Sequence, residues 1–148
     1  MIQDFVNAWD ANKSKLKEYI STHNQSEYDE YEKLLKLLVK IVINPYLNEK
    51  NKLVLDIDHV HAIDDGEYQG SVMFVIPLDI YQPEPYRYVW TYQGYGSCSG
   101  CDTLMGISGY GSGLPSAKQV DEYMTLELHL LQKCRWLIGE DEHTHDPY

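Results

Sequence analysis

The feature that most restricts the fold is a double change in the spacing of apolar residues. Through residue 42 they recur every three or four positions, between 53 and 93 they alternate, and from 116 they return to helical spacing. A chain with helical ends and an alternating middle buries its apolar faces as an α+β domain. The simplest arrangement is a small antiparallel sheet of about three strands, packed against N-terminal helices and a long C-terminal helix.

Ile2, Phe5, Val6 and Trp9, followed by Leu16, Tyr19 and Ile20, predict a first helix with a break near Asn12. Ser26 and Asp29 resemble a capping box opening a helix through Tyr31, Leu34, Leu35, Leu38, Ile41 and Val42, which Pro45 ends. LVLDIDHVHAI at 53–63, the turn residues Asp64, Asp65 and Gly66, and SVMFVIPLD at 71–79 read as a hairpin, with Val72, Phe74, Ile76 and Leu78 facing inward. YRYVWTYQ at 86–93 is a third strand. Ser116 and Gln119 cap a long helix whose stripe is Val120, Met124, Leu128, Leu131, Cys134 and Ile138, stopped at Gly139. Residues 1–139 are expected to form one domain, and the charged tail 140–148 to be disordered.

Lys and Arg number 12 against 23 Asp and Glu, a net charge of −11. That field repels phosphate backbones and anionic lipid, so direct nucleic-acid binding is not expected. It is compatible with plain solubility or with an acidic inhibitor that covers a basic groove on another protein. The opening MIQDFVNAWDANKSK has no basic stretch leading into an apolar run, and no segment has the length of a membrane span. Three cysteines, an odd number, fit a reducing compartment, and the cytoplasm is the expected location.

Seven of the ten glycines fall between 94 and 113, in GYGSCSGCDTLMGISGYGSG, a density that argues for a wide loop rather than regular structure. Successive backbone N–H groups in such a loop can cradle an anion, although the Gly-Lys-Ser/Thr of a phosphate loop is missing. Beside it cluster Tyr81, Tyr86, Tyr88, Tyr92, Tyr95 and Tyr110 with Trp90. Alternation puts Tyr86, Tyr88, Trp90 and Tyr92 on one strand face, opposite Arg87, Val89 and Thr91. That aromatic face either lies under the helices as core or forms a wall for stacking on a nucleobase or anchoring a partner.

Cys98-Ser-Gly-Cys101 has the spacing of a zinc knuckle or a redox pair. Zinc needs two further ligands, for which Cys134, His129, His143 and His145 stand at no diagnostic distance, so local packing of the thiols is the simpler reading and no cofactor is expected. The segment Tyr95-Gly-Ser-Cys-Ser-Gly-Cys-Asp102 resembles a short stretch found in small bacteriophage accessory proteins. The resemblance implies a protein acting on host machinery. Small acidic phage proteins include inhibitors of bacterial immunity, some blocking an effector, as anti-CRISPR proteins do, and others sequestering a nucleotide signal.

His59 and His61 fall on one face of the 53–63 strand by alternation, with Asp56 and Asp58 on the other. The pair resembles the start of a metallo-β-lactamase-type site, but Asp64 comes one place too late and no further His follows. Gly109-Tyr-Gly-Ser-Gly lacks the serine of a hydrolase nucleophile elbow, and no catalytic residue is assigned.

The expected function is therefore that of a non-catalytic, phage-encoded anti-defence protein holding a nucleotide-like immune signal. Its ligand-binding residues would be Arg87, Tyr88, Trp90, Tyr92, Tyr95, Gly96, Ser97, Ser99 and Gly100. Since Arg87 falls opposite the tyrosines, strand twist, a bulge or a second subunit is needed to unite them. The alternatives are an acidic inhibitor of a host defence protein and a metal-dependent phosphoesterase.

Overall fold

The computed structural model describes residues 2–66, 70–79, 88–97, 102–108 and 112–137. The chain runs α1 (Ile2–Thr22), a 3₁₀ turn (Gln25–Tyr28), α2 (Tyr31–Leu37), a π-helical stretch (Leu38–Ile43) and α3 (Asn44–Asn51). After a second 3₁₀ turn (Ile57–His59) come β1 (His61–Asp64), β2 (Gly70–Pro77), β3 (Tyr88–Tyr95), α4 (Thr103–Ser108), α5 (Ala117–Gln132) and β4 (Arg135–Leu137). The fold is the expected α+β, with four antiparallel strands in the order β1-β2-β3-β4 rather than three.

Helix α1 does not break at Asn12. The residue lies on the buried side with Phe5, Ala8, Trp9, Leu16 and Ile20, and its amide donates to the Val42 carbonyl at 3.0 Å. A short polar side chain on an apolar stripe looks like an interruption, yet here it satisfies a main-chain acceptor of the facing π stretch.

Pro45 does not end the second helical run either. Asn44 N–H reaches back five residues to the Val39 carbonyl, and α3 follows with Pro45 in its first turn. The widened coil makes room for the ring where an α-helix would clash, and the chain stays helical to Asn51. The proposed Ser26 box is absent: Asn24 caps the 3₁₀ turn by accepting from Ser26 N–H, and α2 starts only at Tyr31.

The hairpin pairs β1 with β2, His61 opposite Val75 and Ile63 opposite Met73. The first strand is much shorter than 53–63, because Asp56 accepts from Asp58 N–H and turns residues 57–59 into 3₁₀ helix. Gly70 closes the other end, where a Cβ would stand 2.9 Å from Gly66 Cα. Phe74, Ile76 and Leu78 are buried as expected, with Val72 packed against the same cluster, which also takes in Val89 from β3.

Helix α5 opens with the Ser116–Gln119 capping box and ends six residues earlier than its apolar stripe suggested. Lys133 N–H bonds the His129 carbonyl and Cys134 N–H the Leu131 carbonyl, after which the chain turns into β4. Cys134, between α5 and β4, is buried, so it extended the helical pattern falsely. Trp136 on β4 stacks on Phe5 of α1 at 6.4 Å between ring centroids, tying the last strand to the first helix. Thr91 Oγ1 donates to the Leu130 carbonyl at 2.9 Å, which docks the sheet onto α5. Among the described residues, no helix is long and apolar enough to cross a membrane.

Candidate functional site

The third strand settles which face its aromatics occupy. Val89, Thr91 and Gln93 are buried toward the helices, whereas Tyr88 and Trp90 are half-buried and Tyr92 is 44% exposed on the opposite face. The aromatic wall is thus the outer face of the sheet and not the core beneath the helices.

The register builds this face row by row. His61, Val75, Trp90 and Arg135 lie side by side across all four strands, Ile63, Met73 and Tyr92 form the next row, and Pro77 pairs with Tyr88 beyond. Trp90 stacks on Tyr92 with ring centroids 6.0 Å apart and planes 28° from parallel. Ile63 is 45% exposed, so this side of the sheet carries apolar and aromatic surface open to solvent.

Two cations border it, Lys133 at the end of α5 and Arg135 on the strand that the sequence concealed. Lys133 Nζ lies 4.8 Å from the Tyr92 ring centroid and donates to Gln93 Oε1 at 3.0 Å. Burial pulls its ammonium below the ordinary lysine value. Arg135 Nη1 donates to the carbonyls of Gln132 and Cys134 at 2.8 and 2.9 Å, which holds the guanidinium beside the end of α5.

Other expected ligand residues are placed elsewhere. Tyr95 is on the helix-side face at the end of β3, and its hydroxyl donates to Asp64 Oδ1 at 2.5 Å, clasping β3 to the hairpin. That bond raises the Tyr95 phenol to about 12 and lowers the Asp64 carboxyl. Gly96 N–H donates to Asp102 Oδ2 at 2.9 Å, so it is committed within the protein and does not point at a ligand. Ser97 is exposed beside it. Arg87, Cys98, Ser99, Gly100 and Cys101 lie outside the described residues.

The sequence reading missed Asp102. It is buried, accepts from Tyr31 Oη at 2.8 Å and from Met105 N–H at 3.0 Å, and so caps the helix α4 that interrupts the Gly-rich segment. Asp before Thr103-Leu-Met was an available signal for a helix start.

The histidine pair is not a pair: His59 sits in the 3₁₀ turn with Nδ1 2.6 Å from Asp56 Oδ2, while His61 belongs to β1. Cys134 is buried in the core, where burial raises its thiol to about 12, and His129 is on the exposed side of α5. Among the described residues, no group of three or more His, Cys, Asp or Glu is arranged to hold a metal. A groove of about 640 Å³ runs between α4 and α5 past Thr103, Ile107, Leu126 and His129. Its charged rim is matched internally, Lys118 to Glu122 at 3.1 Å and Asp121 to Lys17 at 3.6 Å.

Comparison with known proteins finds no matching family model, no matching curated protein and no matching solved structure.

Proposed function

We propose that the chain is a non-catalytic binding protein that holds a nucleotide-like molecule against the outer face of its sheet, with Trp90 and Tyr92 as the stacking surface. The observation that carries this reading is the turning of Tyr88, Trp90 and Tyr92 away from the helices while Val89, Thr91 and Gln93 supply the core. Core packing therefore does not account for the aromatics. Tyrosine and tryptophan give flat area at low rotamer cost, and stacking on them contributes about 1–3 kcal/mol per base. Lys133 and Arg135 supply positive charge beside this face, although the chain as a whole carries a net charge of −11.

The setting proposed with it is the cytoplasm of an infected bacterium, with sequestration of an immune signal as the role. Support for that setting is the resemblance of residues 95–102 to phage accessory proteins. Calorimetry against cyclic dinucleotides and ADP-ribose isomers tests the reading. Binding is expected for at least one, lost in Trp90→Ala with the melting temperature kept. Capture of a basic host protein without binding of any nucleotide would instead favour the acidic inhibitor, the reading that the net charge supports.

A further inference from the structure

Resting on the stacking surface proposed above, we infer that the ligand of the outer face is an anion, a nucleoside bearing at least one phosphate, with its ring over Trp90 and Tyr92 and its phosphate met by Lys133 and Arg135. The register sets the distances. Trp90 and Arg135 are direct cross-strand partners, and neighbouring strands lie about 4.8 Å apart, so a ring over Trp90 has the Arg135 position within reach of a ribose phosphate. Lys133 sits at the same margin, its ammonium against the Tyr92 ring.

Lys17, Lys33, Lys36, Lys50 and Lys118 each have a carboxylate within 4 Å, whereas Lys133 and Arg135, like Lys13, Lys15, Lys40 and Lys52, have none among the described residues. What sets Lys133 and Arg135 apart is their place beside the aromatic face. Lys133 uses one donor on Gln93 Oε1, and an ammonium has three. Gln93 and the Tyr92 ring hold the ammonium in place, and a pre-placed, partly desolvated cation gains more from an incoming phosphate than a free surface lysine does.

The test compares adenosine with AMP, which share a ring and differ by the phosphate, in wild type and in Lys133→Met, Arg135→Gln and Trp90→Ala, with melting curves for each variant. AMP is expected to bind at least about tenfold more tightly than adenosine, a gap of about 1.4 kcal/mol. Lys133→Met, which keeps the apolar stem over Tyr92, and Arg135→Gln should each narrow the gap, whereas Trp90→Ala should weaken both ligands. Equal affinity for AMP and adenosine, both lost in Trp90→Ala, would overturn the anion assignment and leave the stacking surface standing. A phosphate preference unchanged in both charge variants would also overturn it. Binding of neither compound at millimolar concentration would remove the anion assignment and the stacking surface together.

Discussion

The Tyr31 hydroxyl donates to Asp102 Oδ1 at 2.8 Å across 71 residues of chain, and the same oxygen of Tyr31 accepts the Leu104 N–H at 3.1 Å. This pair fastens the start of α4 to α2, while the other Asp102 oxygen takes Gly96 N–H. Burial, with the Asp102 carboxylate beside it, pushes the Tyr31 phenol well above its ordinary value. Asp102→Ala removes a helix cap and takes the acceptor from a part-buried hydroxyl and two N–H groups, a loss of about 1–3 kcal/mol. Urea unfolding measures it. A change below about 0.5 kcal/mol would mean that the segment is held by other contacts.

The two sides of the sheet predict opposite responses to truncation. Phe74 is buried on the helix side, and Phe74→Ala should cost about 3–5 kcal/mol. Tyr92→Ala on the outer side forfeits one stack and one cation–π contact and should cost about 1 kcal/mol or less. Thermal melting distinguishes them, and comparable losses would contradict the face assignment.

The sheet's inner face was legible because Val72, Phe74, Ile76 and Leu78 alternate over seven residues along and just past one strand. Strand β3 was legible as a strand but not in its orientation, since both of its faces are apolar enough to bury; the choice is made by helices distant in sequence. Strand β4 was concealed because three residues are too few to show a period, and the buried Cys134 just before it continues the helical stripe. The same concealment hid the cations of the candidate site: Lys133 and Arg135 sit about forty residues from Tyr92 and Trp90, and only the turn after α5 brings them together. Helix α4 was obscured by Gly106 and by the glycines on either side of it.

The clasp between Tyr95 and Asp64 predicts an acid-sensitive contribution. The hydroxyl bond lowers the Asp64 carboxyl below its ordinary value of 3.8, so the stabilisation is present above that value and is lost as pH falls through the folded one. Tyr95→Phe should therefore melt below wild type at neutral pH, and the difference should close in acid. A difference that is unchanged by acidification would assign the effect to ring packing and not to the carboxylate.

Glu127 predicts the reverse dependence. It lies in the buried stripe of α5 with Tyr123, Leu126, Leu130 and Leu131, is fully buried, and neither carboxyl oxygen has a hydrogen-bond partner among the described residues. Burial alone raises its carboxyl well above the ordinary value of 4.5, so the folded state prefers the neutral acid. The unfolded chain ionises first. Stability is then fully present below the ordinary carboxyl value and declines as pH rises toward the folded one, by up to about 1.4 kcal/mol per pH unit. Glu127→Gln cannot ionise and is free of that decline, so its advantage over wild type should grow with pH. Glu127→Leu, which also removes the unpaired polar atoms, should raise the melting temperature at neutral pH. Unfolding free energies of the three proteins across the acid-to-neutral range provide the measurement. A Glu127→Gln protein that is less stable than wild type by a constant amount at every pH would show that the carboxyl has a partner whose geometry the amide cannot reproduce.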